Sequence, residues 1–111
     1  MSEPVINLDI LNEYTDGDPE AVQEIVEIFY DTFESGLSEL EKDLSHEKLE
    51  HWVAVSHKLK GAAGYVGAEK LRTLCAESQD LQDGSIETKE KIFANINSHY
   101  KVVKEHLKKH S

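Results

Sequence analysis

DPEAVQEIVEIFYDTFESGLSELEKDL, residues 18–44, decides the fold. Asp18, Pro19 and Glu20 read as an N-cap, a first-turn proline and a first-turn acid, which together start a helix. Val22, Val26, Phe29, Phe33, Leu37, Leu40 and Leu44 then recur at three- and four-residue steps. That spacing is the apolar stripe of one long amphipathic helix. Gly36 is a weak helix former inside the run.

The same punctuation divides the rest of the chain. Upstream, Ile6, Leu8, Ile10, Leu11 and Tyr14 form a short apolar cluster that stops at Asp16-Gly17. Downstream, Ser45 is positioned to cap a helix with the stripe Leu49, Trp52, Val53, Ser56, Leu59, Ala63 and Val66. A bend follows at Gly64-Tyr65-Val66-Gly67. Leu71, Leu74, Ser78 and Leu81 mark a third long helix, closed near Asp83-Gly84, and Cys75 beside them reads as a small core hydrophobe. Ser85 starts the last helix, with Ile86, Phe93, Ile96, Tyr100, Val103 and Leu107 facing inward. Long helices joined by short turns are antiparallel neighbours. The expected fold is therefore all-α: an antiparallel up-down four-helix bundle with a short additional N-terminal helix, in a single domain spanning residues 1–111. A bundle of this kind hosts many functions, so the site has to be argued separately.

Composition narrows the function classes. At 111 residues the chain suits one domain, and its formal net charge of -10 argues against binding nucleic acid through phosphate neutralisation. Residues 1–50 hold 15 Asp and Glu against 2 Lys, whereas residues 51–111 hold 7 acids against 10 Lys and Arg. Such polarity steers partners of complementary potential, or simply keeps an acidic face solvated. No apolar run approaches the roughly 20 residues of a membrane span, and no signal peptide opens the chain. A single cysteine fits a reducing compartment, with the cytoplasm expected.

Helix phase singles out His57. With about 100° per residue and Leu59 at the centre of the core, the stripe covers an arc from roughly -60° to +120°. His57 falls near 160°, by the same rule on the water side. Ala54, Gly61 and Gly64 share that face, so very small groups surround the imidazole. Glycine in a helix costs about 0.5–1 kcal/mol relative to alanine. Two explanations stand: a frayed helix end, or a surface kept open for another protein. Lys58 adjoins His57, and Lys60 lies one turn on, close enough for its ammonium to reach a group bonded to the ring. A neutral imidazole is a good nucleophile near pH 7, and a nearby cation stabilises the oxygens of a transferring phosphoryl group.

Ser56-His57-Lys58-Leu59-Lys60-Gly61-Ala62-Ala63-Gly64-Tyr65-Val66-Gly67 resembles the signature of histidine-containing phosphotransfer (HPt) domains. The resemblance is strongest to those at the C-terminus of bacterial tripartite hybrid sensor kinases. It implies that His57 accepts a phosphoryl group from a receiver-domain phosphoaspartate and passes it to another receiver. It further implies that Lys60 steadies the phosphate, that Gly61 keeps the docking surface open, and that Gln79 hydrogen-bonds the imidazole. On phase alone an ordinary solvated Gln79 fits as well, and a bend centred near Tyr65-Val66 would place Leu74 more nearly level with His57. Ala54, Lys58, Gly61 and Gly64 are the expected docking residues. The implied partners are receiver domains of response regulators and hybrid histidine kinases. No cofactor is expected on this chain, with Mg²⁺ held by the receiver, and a monomer is expected because the histidine face must stay free.

Other readings fit less well. Kinase dimerisation domains usually read His-Glu-Leu-Arg-Thr-Pro, no phosphate-binding loop of the G-x-x-x-x-G-K-[ST] type occurs, and the length leaves no room for an ATP-binding domain. A di-iron bundle needs inward Glu-x-x-His pairs, which Glu47-x-x-Glu50 and the remaining histidines (His46, His51, His99, His106, His110) do not supply. His106 and His110 are an i,i+4 pair without an evident third ligand. An interaction module that is never phosphorylated stays as the alternative. Met1 favours a free-standing module over a segment of a larger kinase.

Overall fold

In a computed structural model, residues 6–45, 49–82 and 84–109 are described, the side chain of Leu8 apart. Expectations on His46, Glu47, Asp83 and His110 lie outside these residues. Five helices follow in order: α1 Leu8–Thr15, α2 Pro19–Asp43, α3 Glu50–Tyr65, α4 Glu69–Gln79 and α5 Ile86–Lys109. Helices α2 to α5 form the bundle, and α1 lies across one end. Among the described residues there is no strand.

The start of α2 follows its sequence: the Asp18 carboxylate accepts a hydrogen bond from the Glu20 N–H at 3.1 Å, and Pro19 occupies the first turn. Its stripe delivers Val26, Phe29, Phe33, Leu37 and Leu40 to the core, where Trp52, Leu59, Ala63, Leu71, Cys75, Ile96, Tyr100, Val103 and Leu107 meet them. Phe33 and Tyr100 stack with ring centroids 4.8 Å apart. Gly36 has a packing reason: a Cβ there would sit 2.5 Å from Leu59 Cδ2, so its absence lets α2 and α3 close together. Glu34 Oε2 accepts from the Tyr100 hydroxyl at 2.6 Å and from Lys104 Nζ at 2.7 Å, tying α2 to α5.

The short helix is seated by backbone contact. Asn7 caps α1 through its side chain, and its N–H donates to the Gly67 carbonyl at 2.8 Å. Gly67 has φ +70, and any Cβ there would press into the Asn7 backbone. Glycine alone suits both demands. Ile6 and Leu11 are buried in consequence.

Three expectations need correction. Ser45 does not cap α3, which begins at Glu50 behind Leu49 with no side-chain cap. The third bundle helix is short, 11 residues, and stops at Gln79 rather than near residue 83. Leu81 continues its apolar stripe from beyond the helix end, half-buried against the core. Periodicity cannot separate a helix from a loop that packs in the same phase. Ile86 is 47% exposed, not inward, because it opens α5 before the helix reaches the bundle interior. One charged core residue was unforeseen: Lys89 is fully buried, with Nζ donating to the Asp43 carbonyl at 3.1 Å and lying 5.3 Å from the Trp52 ring centroid. A cation there complements the negative end of α2 and the face of the indole.

Candidate functional site

Helix α3 buries Trp52, Val55, Ser56, Leu59 and Ala63 and turns the opposite face to solvent. His57 is exposed on that face, with Ala54, Lys58 and Gly61, while Lys60 and Gly64 are half-buried. The helix runs through both glycines to Tyr65, so a frayed end does not account for them. A Cβ at Gly61 would meet nothing within 4 Å. Gly64 differs: a Cβ there would touch Arg72 Cδ at 3.7 Å, which puts it beside α4 at the margin of the open ground. Among the described residues no hydrogen bond or ion pair engages His57, Lys58 or Lys60, so one imidazole and two ammonium groups stand available on one surface.

The partner helix is placed by two serines. Ser56 Oγ and Ser78 Oγ, both fully buried, lie 2.6 Å apart in a hydrogen bond between α3 and α4. With residues 56 and 78 level, the antiparallel hairpin is centred on Gly67, not near Tyr65-Val66. Glu77 is then level with His57, and Gln79 lies about 3 Å away along the axis, nearer than Leu74 at about 4.5 Å. Gln79 is half-buried, and its Oε1 is buried without a hydrogen-bond partner. A buried acceptor lacking a donor is uncommon in a folded protein.

A shallow apolar groove of about 310 Å³ adjoins this face, lined by Tyr14, Ile25, Ile28, Phe29, Ala62 and Tyr65. Tyr14, Ile28 and Tyr65 are 60, 64 and 56% exposed. The rings of Tyr14 and Tyr65 pack at 5.2 Å. Tyr65 is one turn beyond Gly61 and two beyond His57, so the groove opens on the helix that carries the histidine, towards its C-terminal end. Sequence reasoning missed Ile25, Ile28 and the role of Tyr14. An isoleucine lying off the Phe29–Phe33 stripe was the available signal for Ile28.

The model of the Hpt domain family matches residues 24–108, which include the whole of α3, α4 and their intervening turn. The chain belongs to this family. No curated protein and no solved structure matches it. As an Hpt domain the chain has its function in histidine phosphotransfer within a phosphorelay, and its class of partner is the receiver domain.

The other described histidines of this Hpt domain are engaged or recessed. His51 Nδ1 lies 2.5 Å from Asp43 Oδ2, and its Nε2 is 3.7 Å from Glu39. His99 is half-buried with Nε2 enclosed, and burial, aided by Lys70, holds its pKa below the ordinary value. His106 is half-buried. Cys75 is buried, and desolvation pushes its thiol up to about 12, which leaves it unreactive. Among the described residues no group of three or more His, Cys, Asp or Glu is placed to hold a metal ion, and no helix is long and apolar enough to cross a membrane.

Proposed function

We propose that this Hpt domain relays phosphoryl groups between two receiver domains, with His57 as the carrier. The observation that supports it most directly is the exposed, unengaged imidazole on a rigid helix beside Gly61, whose missing side chain leaves nothing between the ring and an approaching protein. In the forward step the Nε2 lone pair attacks the phosphorus of a receiver phosphoaspartate. The N–P bond forms as the P–O bond to the aspartyl carboxylate breaks, and the carboxylate leaves as an anion. Lys60 offsets charge on the phosphoryl oxygens. The ring gains positive charge, its Nδ1–H becomes a stronger donor, and the unpartnered Gln79 Oε1 is the acceptor suited to it. Transfer to a second receiver reverses these bonds. The receiver supplies Mg²⁺ and most of the electrostatic catalysis.

Docking uses the surface around Ala54, Lys58 and Gly61 and extends over the groove of Tyr14, Ile28 and Tyr65, with Gly64 at its edge. The two turns from His57 to Tyr65 span about 12 Å along the helix, well inside a standard interface of about 800 Å² per partner. The domain works as a cytoplasmic monomer, like the phosphotransfer modules of bacterial hybrid kinases, since a dimer over α3 would hide the ring. Incubation with a phosphorylated receiver tests the reading. Acid-labile, alkali-stable label appears on this chain and is absent from His57→Gln. No label under conditions where another phosphotransfer domain accepts it overturns the relay in favour of a plain interaction module.

A further inference from the structure

Ser56 and Ser78 are fully buried in a core that is otherwise almost wholly apolar, and one hydroxyl donates to the other at 2.6 Å. Each immediately precedes a residue of the proposed site, Ser56 before His57 and Ser78 before Gln79. Sliding α4 along α3, or rotating it, would break this bond between buried hydroxyls, a loss that no solvent makes good inside the core. An apolar pair at these positions would impose no such condition, because methyl groups pack in neighbouring registers with little difference.

The other end of the same hairpin is held independently, at Gly67, by the Asn7 backbone. That contact seats the turn against the start of α1, whereas the serine pair joins α3 directly to α4 beside the imidazole.

We propose that the Ser56–Ser78 hydrogen bond is a positioning device that holds the Gln79 carboxamide in register with the His57 ring. The two serines act through Gln79 and touch no reacting atom. The inference rests on the relay reading for its consequence in transfer, but its structural core needs only the unphosphorylated protein. Single substitutions Ser56→Ala and Ser78→Ala each leave one buried hydroxyl without its cross-helix partner and lower stability. The double substitution removes both, and stability returns close to that of the parent. A purely structural bond would then see phosphotransfer return as well. A positioning bond would not: the folded double variant transfers about tenfold more slowly at saturating receiver, with receiver affinity within twofold.

The experiment combines urea unfolding, single-turnover transfer and ¹⁵N imidazole spectra on the parent, the double variant, Gln79→Ala, and the triple variant carrying all three changes. Expected are a change in the His57 ring nitrogen shifts in the double variant, and loss of the effect of Gln79→Ala once both serines are gone. An unaltered ring spectrum in the double variant, or an undiminished effect of Gln79→Ala in that background, overturns the proposal. If the ring spectrum responds as expected while no receiver phosphorylates the parent, the positioning device stands and the relay reading fails.

Discussion

Gly61→Ala separates folding from function more cleanly than any other single change. The site is inside α3, with helix on both sides, and a methyl there would meet nothing within 4 Å in the free protein. Replacing glycine by alanine in such a position stabilises by about 0.8–1.0 kcal/mol. In a domain of this size that raises Tm by roughly 3–4 °C. The same methyl projects from the face carrying His57, one turn away. In-line transfer needs reacting atoms about 3–3.5 Å apart, and a displacement of about 1 Å can cost 10²-fold. Thermal melts followed by circular dichroism, with stopped-flow or quench-flow transfer from a phosphorylated receiver, should therefore show a more stable protein that transfers roughly 10- to 100-fold more slowly. A variant that melts higher yet transfers at the parental rate would refute the reasoning that the glycine is kept for docking. A variant that melts lower would refute the helical geometry itself.

Gly36→Ala is the counterpart: the same gain in helix propensity is outweighed by a Cβ 2.5 Å from Leu59 Cδ2 in a fully packed core, and urea unfolding should show a net loss of about 1–2 kcal/mol. Hydrogen bonds from Lys104 and Tyr100 hold the Glu34 carboxyl below its ordinary value of 4.5, so its contribution is present above that pH and is lost as pH falls through the folded value. Glu34→Gln should flatten the acid limb of the stability profile. Burial holds His99 below 6.5, so the unfolded chain takes up its proton first and stability declines as pH drops beneath about 6.5; His99→Gln should remove that component, read by unfolding between pH 7 and 5. Tyr65→Ala should leave stability within about 0.5 kcal/mol because the ring is exposed. Receiver affinity by titration should fall about tenfold, and an unchanged affinity would exclude the groove from the docking surface.

Periodicity alone was enough to read the bundle and the outward histidine, for a clear reason. The α-helix has a fixed angular step, so side-chain direction follows from residue number once one buried position is known. Phe33 and Leu59 come out inside and His57 and Gly61 outside with no knowledge of neighbouring helices. The Asp18-Pro19 start of α2 is equally local, being a hydrogen bond and a dihedral angle within three residues. What depends on one helix meeting another had no such signature. The height of Gln79 against His57 follows from the Ser56–Ser78 bond, and the seat of α1 from Gly67 on Asn7, contacts across 22 and 60 residues of chain. The burial of Lys89, the early end of α4, and the joining of Tyr14, Ile28 and Tyr65 into one groove are of the same kind. The chain carries in its linear order which way each side chain points, whereas which side chains come to share a surface is decided by packing between segments distant in that order.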